Sequence, residues 1–177
     1  MANILNFLAF QLVWFITVLT AAKGSSLYAL AAVIVFAIVQ LIFSHCRWAD
    51  AKLLMSGLVV GMLLDTVWLH LGWIAYAADP QTGLPPIWIG ALWLNFMLTL
   101  NHSLNWLKKR YGLIVMCTLV AAPVSYYAGS KLGAVFLLEF VPALVALALS
   151  WSVVVPMFMA FAERWQQADK ETIYAHY

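Results

Sequence analysis

Apolar runs of about twenty residues follow one another through nearly the whole chain, separated by short polar or glycine-containing breaks. Hydrophobic residues make up 66% of the sequence and charged residues only 9%, whereas soluble domains are about 25% charged. A soluble core cannot hide so much apolar surface, but a bilayer accepts helices of about 20 apolar residues. The sequence therefore predicts an all-α, polytopic membrane protein.

The breaks divide the chain into a predicted bundle of six transmembrane helices. The spans are Ile4–Ala22, Ser26–Ser44, Leu53–Tyr76, Pro86–Leu107, Leu113–Ser130 and Ala134–Ala162. Glycine, proline and charged residues in the breaks are typical of turns. We predict that residues 1–165 form the transmembrane domain and that residues 166–177 form a cytoplasmic tail. The first span lacks the basic segment of a cleaved signal peptide, so we interpret it as a retained helix.

Lysine and arginine are distributed unequally between the two sides of this predicted bundle. One side holds Arg47, Lys52, Lys108, Lys109, Arg110, Arg164 and Lys170, and the other holds Lys23 and Lys131. The positive-inside rule then places both termini in the cytoplasm. The net charge of +2 is too small to favour nucleic acid as a partner.

A stripe of small residues in the third span contains a carboxylate. Gly57, Gly61, Asp65, Trp68 and Gly72 follow at intervals of four, four, three and four residues, which places them on one helical face. Small residues at this spacing allow helices to approach closely, and a carboxylate facing lipid would cost about 2.5–3.5 kcal/mol. Asp65 is therefore either a ligand-binding group or a hydrogen-bond anchor between helices. Trp68 is a candidate beside it.

The fourth span carries the most polar stripe of the chain. Asn95, Thr99 and His102 share one face, and Asn101 lies beside it. We predict that this face lines a cavity, in which His102 is either a ligand or base, or a packing residue. Asn101, Asn95 and Thr99 are further ligand-binding candidates.

Four other side chains are candidate site residues, each of which can also be explained by a structural role. Trp14 lies on an aromatic face of the first span that can hold an amphiphile or pack against helices. His70 and Tyr127 are secondary candidates, or else they belong to the membrane interface. Glu139 is also a secondary candidate, which could meet Asp65 or, as a structural residue, pair with Lys131.

Several chemistries have no sequence support. The chain has no GxSxG, HExxH, P-loop or CxxC motif. Cys46 and Cys117 are not spaced from a histidine as metal ligands usually are, and His70 and His102 are at different depths. We therefore predict no metal and no cofactor, assign no catalytic residue, and leave open whether the protein is an enzyme.

Four segments resemble the sequence blocks of one known family. The segment PPIWIGALWLNFMLTLNHSLNWL (Pro85–Leu107) resembles its hallmark, and Asn6–Phe15, Gly61–Trp68 and Ser125–Ala134 resemble its other blocks. The family is an uncharacterised group of bacterial inner-membrane proteins, known only as domain of unknown function number twenty-eight seventy-eight. The matching motif positions hold Asp65, Asn101, His102, Ser103, Tyr127 and Gly129.

The resemblance implies a location in the bacterial inner membrane and a connection with lipids. Family members are often encoded beside enzymes similar to cyclopropane-fatty-acid synthases and flavin amine oxidases. This association implies a role in modifying or handling membrane lipid, as an enzyme or as an accessory to lipid-modifying enzymes. It is an association and not a mechanism.

Three functions remain open from the sequence. The first is lipid handling, with an amphiphile bound between the first, third and fourth spans and its polar end near Asp65 and Asn101–His102. The second is the substrate-binding membrane subunit of a small-molecule importer, although the bulky first span lacks the small residues with which such subunits dock. The third is a structural membrane scaffold without a ligand. The sequence does not determine the oligomeric state.

Overall fold

Six helices and two short strands make up the computed structural model, which describes residues 2–174. The elements are α1 (Ala2–Ala22), α2 (Leu27–Phe43), α3 (Arg47–His70), β1 (Ile74–Tyr76), α4 (Ile87–Leu100), α5 (Tyr111–Lys131), β2 (Val135–Leu137) and α6 (Phe140–Tyr174). Four helices, α1, α3, α5 and α6, are long and apolar enough to cross a membrane, and α2 and α4 are shorter apolar helices. The prediction of a helical, membrane-type protein with six helices is confirmed.

Helix α4 lies at the centre of the bundle and contacts α1, α2, α3 and α6. Ten of its 14 residues are buried, including the polar Asn95 and Thr99, as expected for a mostly apolar helix enclosed by other helices. The prediction that this helix continues to Leu107 is wrong. It ends at Leu100, where the backbone N–H of Leu104 turns back to the Thr99 carbonyl at 2.9 Å, and Asn105–Leu107 forms a short 3₁₀ helix.

Glycines in α3 allow α3 and α4 to pack closely. A Cβ atom added to Gly57 would lie 2.2 Å from Cγ of Met97, and one added to Gly61 would lie 2.1 Å from the Trp93 ring. Both distances are far shorter than van der Waals contact, so a larger residue fits only if the Met97 or Trp93 side chain, or α4 itself, shifts. The predicted packing role is confirmed for Gly57 and Gly61, whereas nothing lies within 4 Å of a Cβ atom added to Gly72.

Two segments that we predicted as helix, Ile74–Tyr76 and Val135–Leu137, instead form a two-stranded antiparallel sheet. Ile74 pairs with Leu137 and Tyr76 pairs with Val135, although we predicted that the third span continues to Tyr76 and that the sixth begins at Ala134. Gly72 (φ +67°) and Gly133 (φ +84°) have left-handed backbone conformations just before the strands. Glycine in this conformation typically ends a helix, and here it ends α3 and α5.

Two helices also differ in length from the predicted spans. Helix α3 begins at Arg47, six residues before the predicted Leu53. Helix α6 runs without interruption to Tyr174, so it continues through the predicted beginning of the tail at residue 166. Met1, residues 175–177 and the side chains at positions 2, 170 and 172–174 lie outside the described part of the chain.

We name the two ends of the bundle by their contents. The sheet end contains β1, β2 and the carboxyl ends of α3 and α5. The basic end contains the beginning of α3, the end of α4 and the beginning of α5, with Arg47, Lys108, Lys109 and Arg110. Each end contains one buried aspartate, Asp65 at the sheet end and Asp50 at the basic end.

Candidate functional site

Asp65 is enclosed by three hydrogen-bond donors at the sheet end. Its side chain is fully buried. Oδ1 accepts hydrogen bonds from the Tyr76 hydroxyl at 2.6 Å and the Tyr126 hydroxyl at 2.7 Å, and Oδ2 accepts one from Nε1 of Trp93 at 2.7 Å. We call Asp65, Tyr76, Trp93 and Tyr126 the Asp65 cage. Its members come from α3, β1, α4 and α5, so the carboxylate joins four elements.

The local sequence explains how the Asp65 cage is assembled. Gly61 lies one turn before Asp65 and leaves room for the Trp93 ring. Alternation along β1 turns Ile74 and Tyr76 toward the interior. The three donors are neutral, and hydrogen bonds to an ionised group are worth more than neutral ones. These bonds offset the cost of burying the carboxylate without a cation.

A cavity of about 480 Å³ adjoins the Asp65 cage. It lies between α1, α4, α5 and α6, and α3 contributes no lining residue. Its aromatic walls are formed by Phe10, Trp14, Phe15, Trp93, Phe96, Tyr126 and Trp151. Trp93 and Tyr126 thus belong to both the cavity wall and the Asp65 cage.

The cavity opens on the apolar outer surface of the bundle, between α1 and α5. Phe15 and Val124 line it and are also 47% and 58% exposed. Inside, Trp93 and Trp151 stack with ring centroids 4.5 Å apart. Nε1 of Trp151 is buried and has no hydrogen-bond partner among the described residues. A residue of the cavity wall therefore carries a buried donor without a partner.

Asp50 organises a second polar group at the basic end. Its buried carboxylate accepts hydrogen bonds at Oδ2 from Ser44 at 2.6 Å and at Oδ1 from Asn101 Nδ2 at 2.8 Å. Nε2 of His102 lies 2.8 Å from Oδ2, and the His102 side chain is 16% exposed. We call Ser44, Cys46, Asp50, Asn101 and His102 the Asp50 cluster.

Cys46 and Lys108 complete the surroundings of Asp50. Sγ of Cys46 lies 3.9 and 4.0 Å from the two carboxylate oxygens, and burial raises the pKa of this thiol, which is therefore protonated at neutral pH. Nζ of Lys108 donates to Oδ1 of Asn101 at 2.7 Å and to Oε1 of Gln166 at 2.8 Å. Both amides consequently turn their NH₂ groups inward, Asn101 toward Asp50 and Gln166 toward Sγ of Cys46 at 3.7 Å.

The remaining candidates of the fourth helix have structural contacts. Nδ2 of Asn95 donates to the Phe10 carbonyl at 3.0 Å and so joins α4 to α1. The Thr99 hydroxyl donates to the Phe96 carbonyl within its own helix at 2.6 Å. Neither residue lines the cavity, whereas Trp14 does.

The candidates at the sheet end, apart from Asp65, lie at the surface or pack on neighbouring rings. Trp68 stacks on Trp73 at 5.8 Å, and the exposed His70 places Nδ1 2.9 Å from the Thr66 carbonyl. The exposed Glu139 lies just before α6. Tyr127 is 42% exposed, and its ring contacts Lys131 at 5.0 Å.

The structure thus places the predicted site residues in separate groups at opposite ends of the bundle. Asp65 is enclosed at the sheet end and does not meet Glu139, while Asn101 and His102 contact Asp50 at the opposite end. Three members of the Asp65 cage, Tyr76, Trp93 and Tyr126, were not among the predicted site residues. Their contacts join distant elements, and no local spacing indicates them.

A sequence signal for Asp50 does exist. Asp50, Leu54, Gly57, Gly61 and Asp65 follow at intervals of four, three, four and four residues, and all five are buried. The stripe that contains Asp65 therefore extends back to Asp50 on the same face. We missed Asp50 because the predicted third span begins only at Leu53.

Comparison with known proteins gives a family and no activity. A family model described as "Protein of unknown function (DUF2878)" matches residues 3–157. No curated protein matches the chain, and no solved structure matches it.

Proposed function

Since this chain belongs to DUF2878, a family of unknown function, we propose its role from its own cavity: the protein binds the hydrocarbon chain of a membrane lipid. The observation that carries the proposal is the aromatic cavity of about 480 Å³ that opens on the apolar outer surface between α1 and α5. In a membrane, that surface faces acyl chains. A lipid tail can enter such a cavity sideways without leaving the hydrocarbon.

The lining favours a hydrocarbon chain over a polar solute. Most of the wall is aliphatic or aromatic, and its volume falls in the range of about 300–1,000 Å³ of ligand pockets. The Tyr126 hydroxyl donates its proton to Asp65, so its oxygen still has lone pairs to accept a hydrogen bond. With Nε1 of Trp151, it provides contacts for a small polar group on the ligand.

For the membrane topology, we propose six crossings with both termini in the cytoplasm of a bacterial inner membrane. The excess of lysine and arginine at the basic end supports this orientation. Carboxyl-terminal fusions to green fluorescent protein and to alkaline phosphatase test it. A fluorescent first fusion and an inactive second are expected, and the reverse result would place the carboxyl terminus outside.

Native mass spectrometry of the protein released from membranes tests the lipid proposal. We expect one lipid retained per chain and identify it by fragmentation. In Ala121→Phe, a ring from the cavity wall fills the space, so retention should fall at least tenfold. Val120→Phe is the matched control, since Val120 is 63% exposed and does not line the cavity.

Two results would overturn the proposal. If the wild type retains no lipid under conditions that keep it folded, the cavity is a packing defect of a scaffold protein. If Ala121→Phe and Val120→Phe retain the same lipid equally, the lipid binds elsewhere on the surface.

A further inference from the structure

We propose that Cys46, Asp50 and His102 bind a divalent transition-metal ion of the zinc type at the basic end. The lipid proposal does not use these residues, and none of them lines the cavity. From the sequence we predicted no metal. The three proposed ligands come from the α2–α3 connection, α3 and the turn after α4, so no local spacing joins all three.

The distances between the ligand atoms suit one ion. Sγ of Cys46 is 4.0 Å from Oδ2 of Asp50, which is 2.8 Å from Nε2 of His102, and all three atoms lie within 4.8 Å of one another. For a triangle with these sides, the point equidistant from its corners is at most about 2.4 Å from each atom. Zinc bonds are about 2.3 Å to sulfur and about 2.0–2.2 Å to nitrogen and oxygen. That point lies in the plane of the three atoms, and an ion with a fourth ligand lies above this plane. Tetrahedral zinc spaces its ligand atoms about 3.3–3.6 Å apart, so Oδ2 and Nε2 must separate by about half an ångström and Sγ must move closer to Oδ2 by a similar amount.

The donor atoms select the class of metal. One sulfur, one imidazole nitrogen and one carboxylate oxygen favour zinc, cobalt and similar ions, whereas magnesium and calcium prefer oxygen alone. Three protein ligands leave a fourth position of a tetrahedral ion open to water or substrate. The partial exposure of His102 provides access to this position from the basic end.

Polar neighbours already hold the ligand side chains in place. Asn101 and Ser44 donate to the Asp50 carboxylate, and Gln166 donates to Sγ of Cys46. Lys108 holds both amides in the orientation that makes these bonds possible. Such outer contacts orient ligands and tune affinity at known metal sites. Lys108 is therefore a positioning residue, although its charge opposes a cation.

Binding has a defined proton balance. The Cys46 thiol loses its proton and forms a sulfur–metal bond, and the hydrogen bond between His102 and Asp50 breaks. Neutral His102 then carries its proton on Nδ1 and binds through Nε2, so the ion releases at least one proton per site. A thiolate and a carboxylate balance the two positive charges of the ion.

Cobalt(II) titration of the full-length, tag-free protein in detergent tests the proposal. After chelator treatment, we expect a thiolate-to-cobalt charge-transfer absorption that saturates at one cobalt per chain. Cys46→Ser should abolish this absorption and weaken cobalt binding at least tenfold, and Asn101→Ala should weaken it about 10- to 100-fold. Cys117→Ser and His45→Gln are controls that should leave the charge-transfer absorption and the cobalt affinity unchanged.

A second measurement avoids dependence on the folding of the variants. X-ray absorption at the zinc edge of the zinc-loaded wild type should show one sulfur ligand at about 2.3 Å. The proposal is overturned if the wild type shows no charge-transfer absorption and no sulfur ligand. It is equally overturned if the absorption survives in Cys46→Ser or disappears in Cys117→Ser.

Discussion

The Asp65 cage and the Asp50 cluster show two ways of burying an aspartate on one helical face. Both side chains are almost inaccessible, and both lie on the buried stripe of α3. They are separated by about 22 Å along the helix, from a rise of 1.5 Å per residue. Asp65 is surrounded by neutral hydroxyl and indole donors, whereas Asp50 has a histidine beside it and Lys108 behind its amide partner.

This difference follows from the surroundings of each carboxylate. The Asp65 cage adjoins apolar helix surfaces, where burying a second ionic side chain would add its own desolvation cost. The neutral hydroxyl and indole donors of the cage avoid the cost of desolvating a second charge. The Asp50 cluster lies at the basic end with a partly exposed His102, where charged partners remain hydrated. The Asp65 cage is therefore suited to holding elements together, and the Asp50 cluster to exchanging a proton or an ion.

Replacement of each aspartate by leucine should produce the largest contrast. Asp65→Leu leaves three enclosed donors without a partner, at about 1–3 kcal/mol each, so we expect a loss of about 4–6 kcal/mol in the free energy of unfolding. Asp50→Leu should cost only about 2–3 kcal/mol, because Ser44 and His102 can turn toward water. Unfolding in detergent micelles measures both losses, and equal losses would contradict the distinction.

The sequence was sufficient for the number and order of the helices, though not for their ends, and for the packing face of α3. Long apolar runs and the spacing of Gly57, Gly61 and Asp65 predict both, because helical periodicity is a local property. The strands were not predictable in the same way. Ile74–Tyr76 and Val135–Leu137 are short apolar segments, and composition alone does not distinguish such a segment from the end of a helix.

The residues that contact the two aspartates could not be predicted from the local sequence either. Tyr76 reaches Asp65 only because β1 follows the turn at Gly72, and His102 reaches Asp50 only because α4 ends at Leu100. Both contacts depend on where a helix stops. Helix ends are the least certain part of a prediction from periodicity, so the stripe was predictable and its partners were not.

Addition of a methyl group at Gly61 should disturb the Asp65 cage through Trp93. The new Cβ would overlap the indole at 2.1 Å, so Trp93 must move and its bond to Asp65 weakens. We expect Gly61→Ala to cost about 2–3 kcal/mol, as overpacking does, with a change in tryptophan fluorescence. Gly112→Ala is the matched control, since nothing lies within 4 Å of its added Cβ, and it should be neutral or stabilising by about 0.4–1 kcal/mol. Similar losses in the two variants would argue against close packing at Gly61.

Removal of the His102 imidazole tests how much the Asp50 cluster at the basic end contributes to stability. His102→Ala takes one partner from Asp50, but Ser44 and Asn101 still donate to the carboxylate. We therefore expect a loss of about 1–2 kcal/mol in the free energy of unfolding. The control His70→Ala removes an exposed ring that is hydrogen-bonded to the Thr66 carbonyl of its own helix, and it should change stability by less than about 0.5 kcal/mol. If His70→Ala lowers the free energy of unfolding more than His102→Ala does, the His102–Asp50 contact does not stabilise the protein.

The smallest expected effect is the loss of a single hydroxyl from the Asp65 cage. Tyr126→Phe removes one donor while Tyr76 and Trp93 remain bonded to Asp65, so we expect a loss of about 1 kcal/mol. Tyr127→Phe, on the adjacent exposed ring, should cost nothing measurable. Tyr76 and Tyr126 donate to the same carboxylate oxygen, so removing both hydroxyls leaves Oδ1 without a donor on a fully buried side chain. The double variant should therefore lose more than the sum of the single losses in a double-mutant cycle. Strict additivity would mean that water reaches Asp65, and the contrast with Asp50 would disappear.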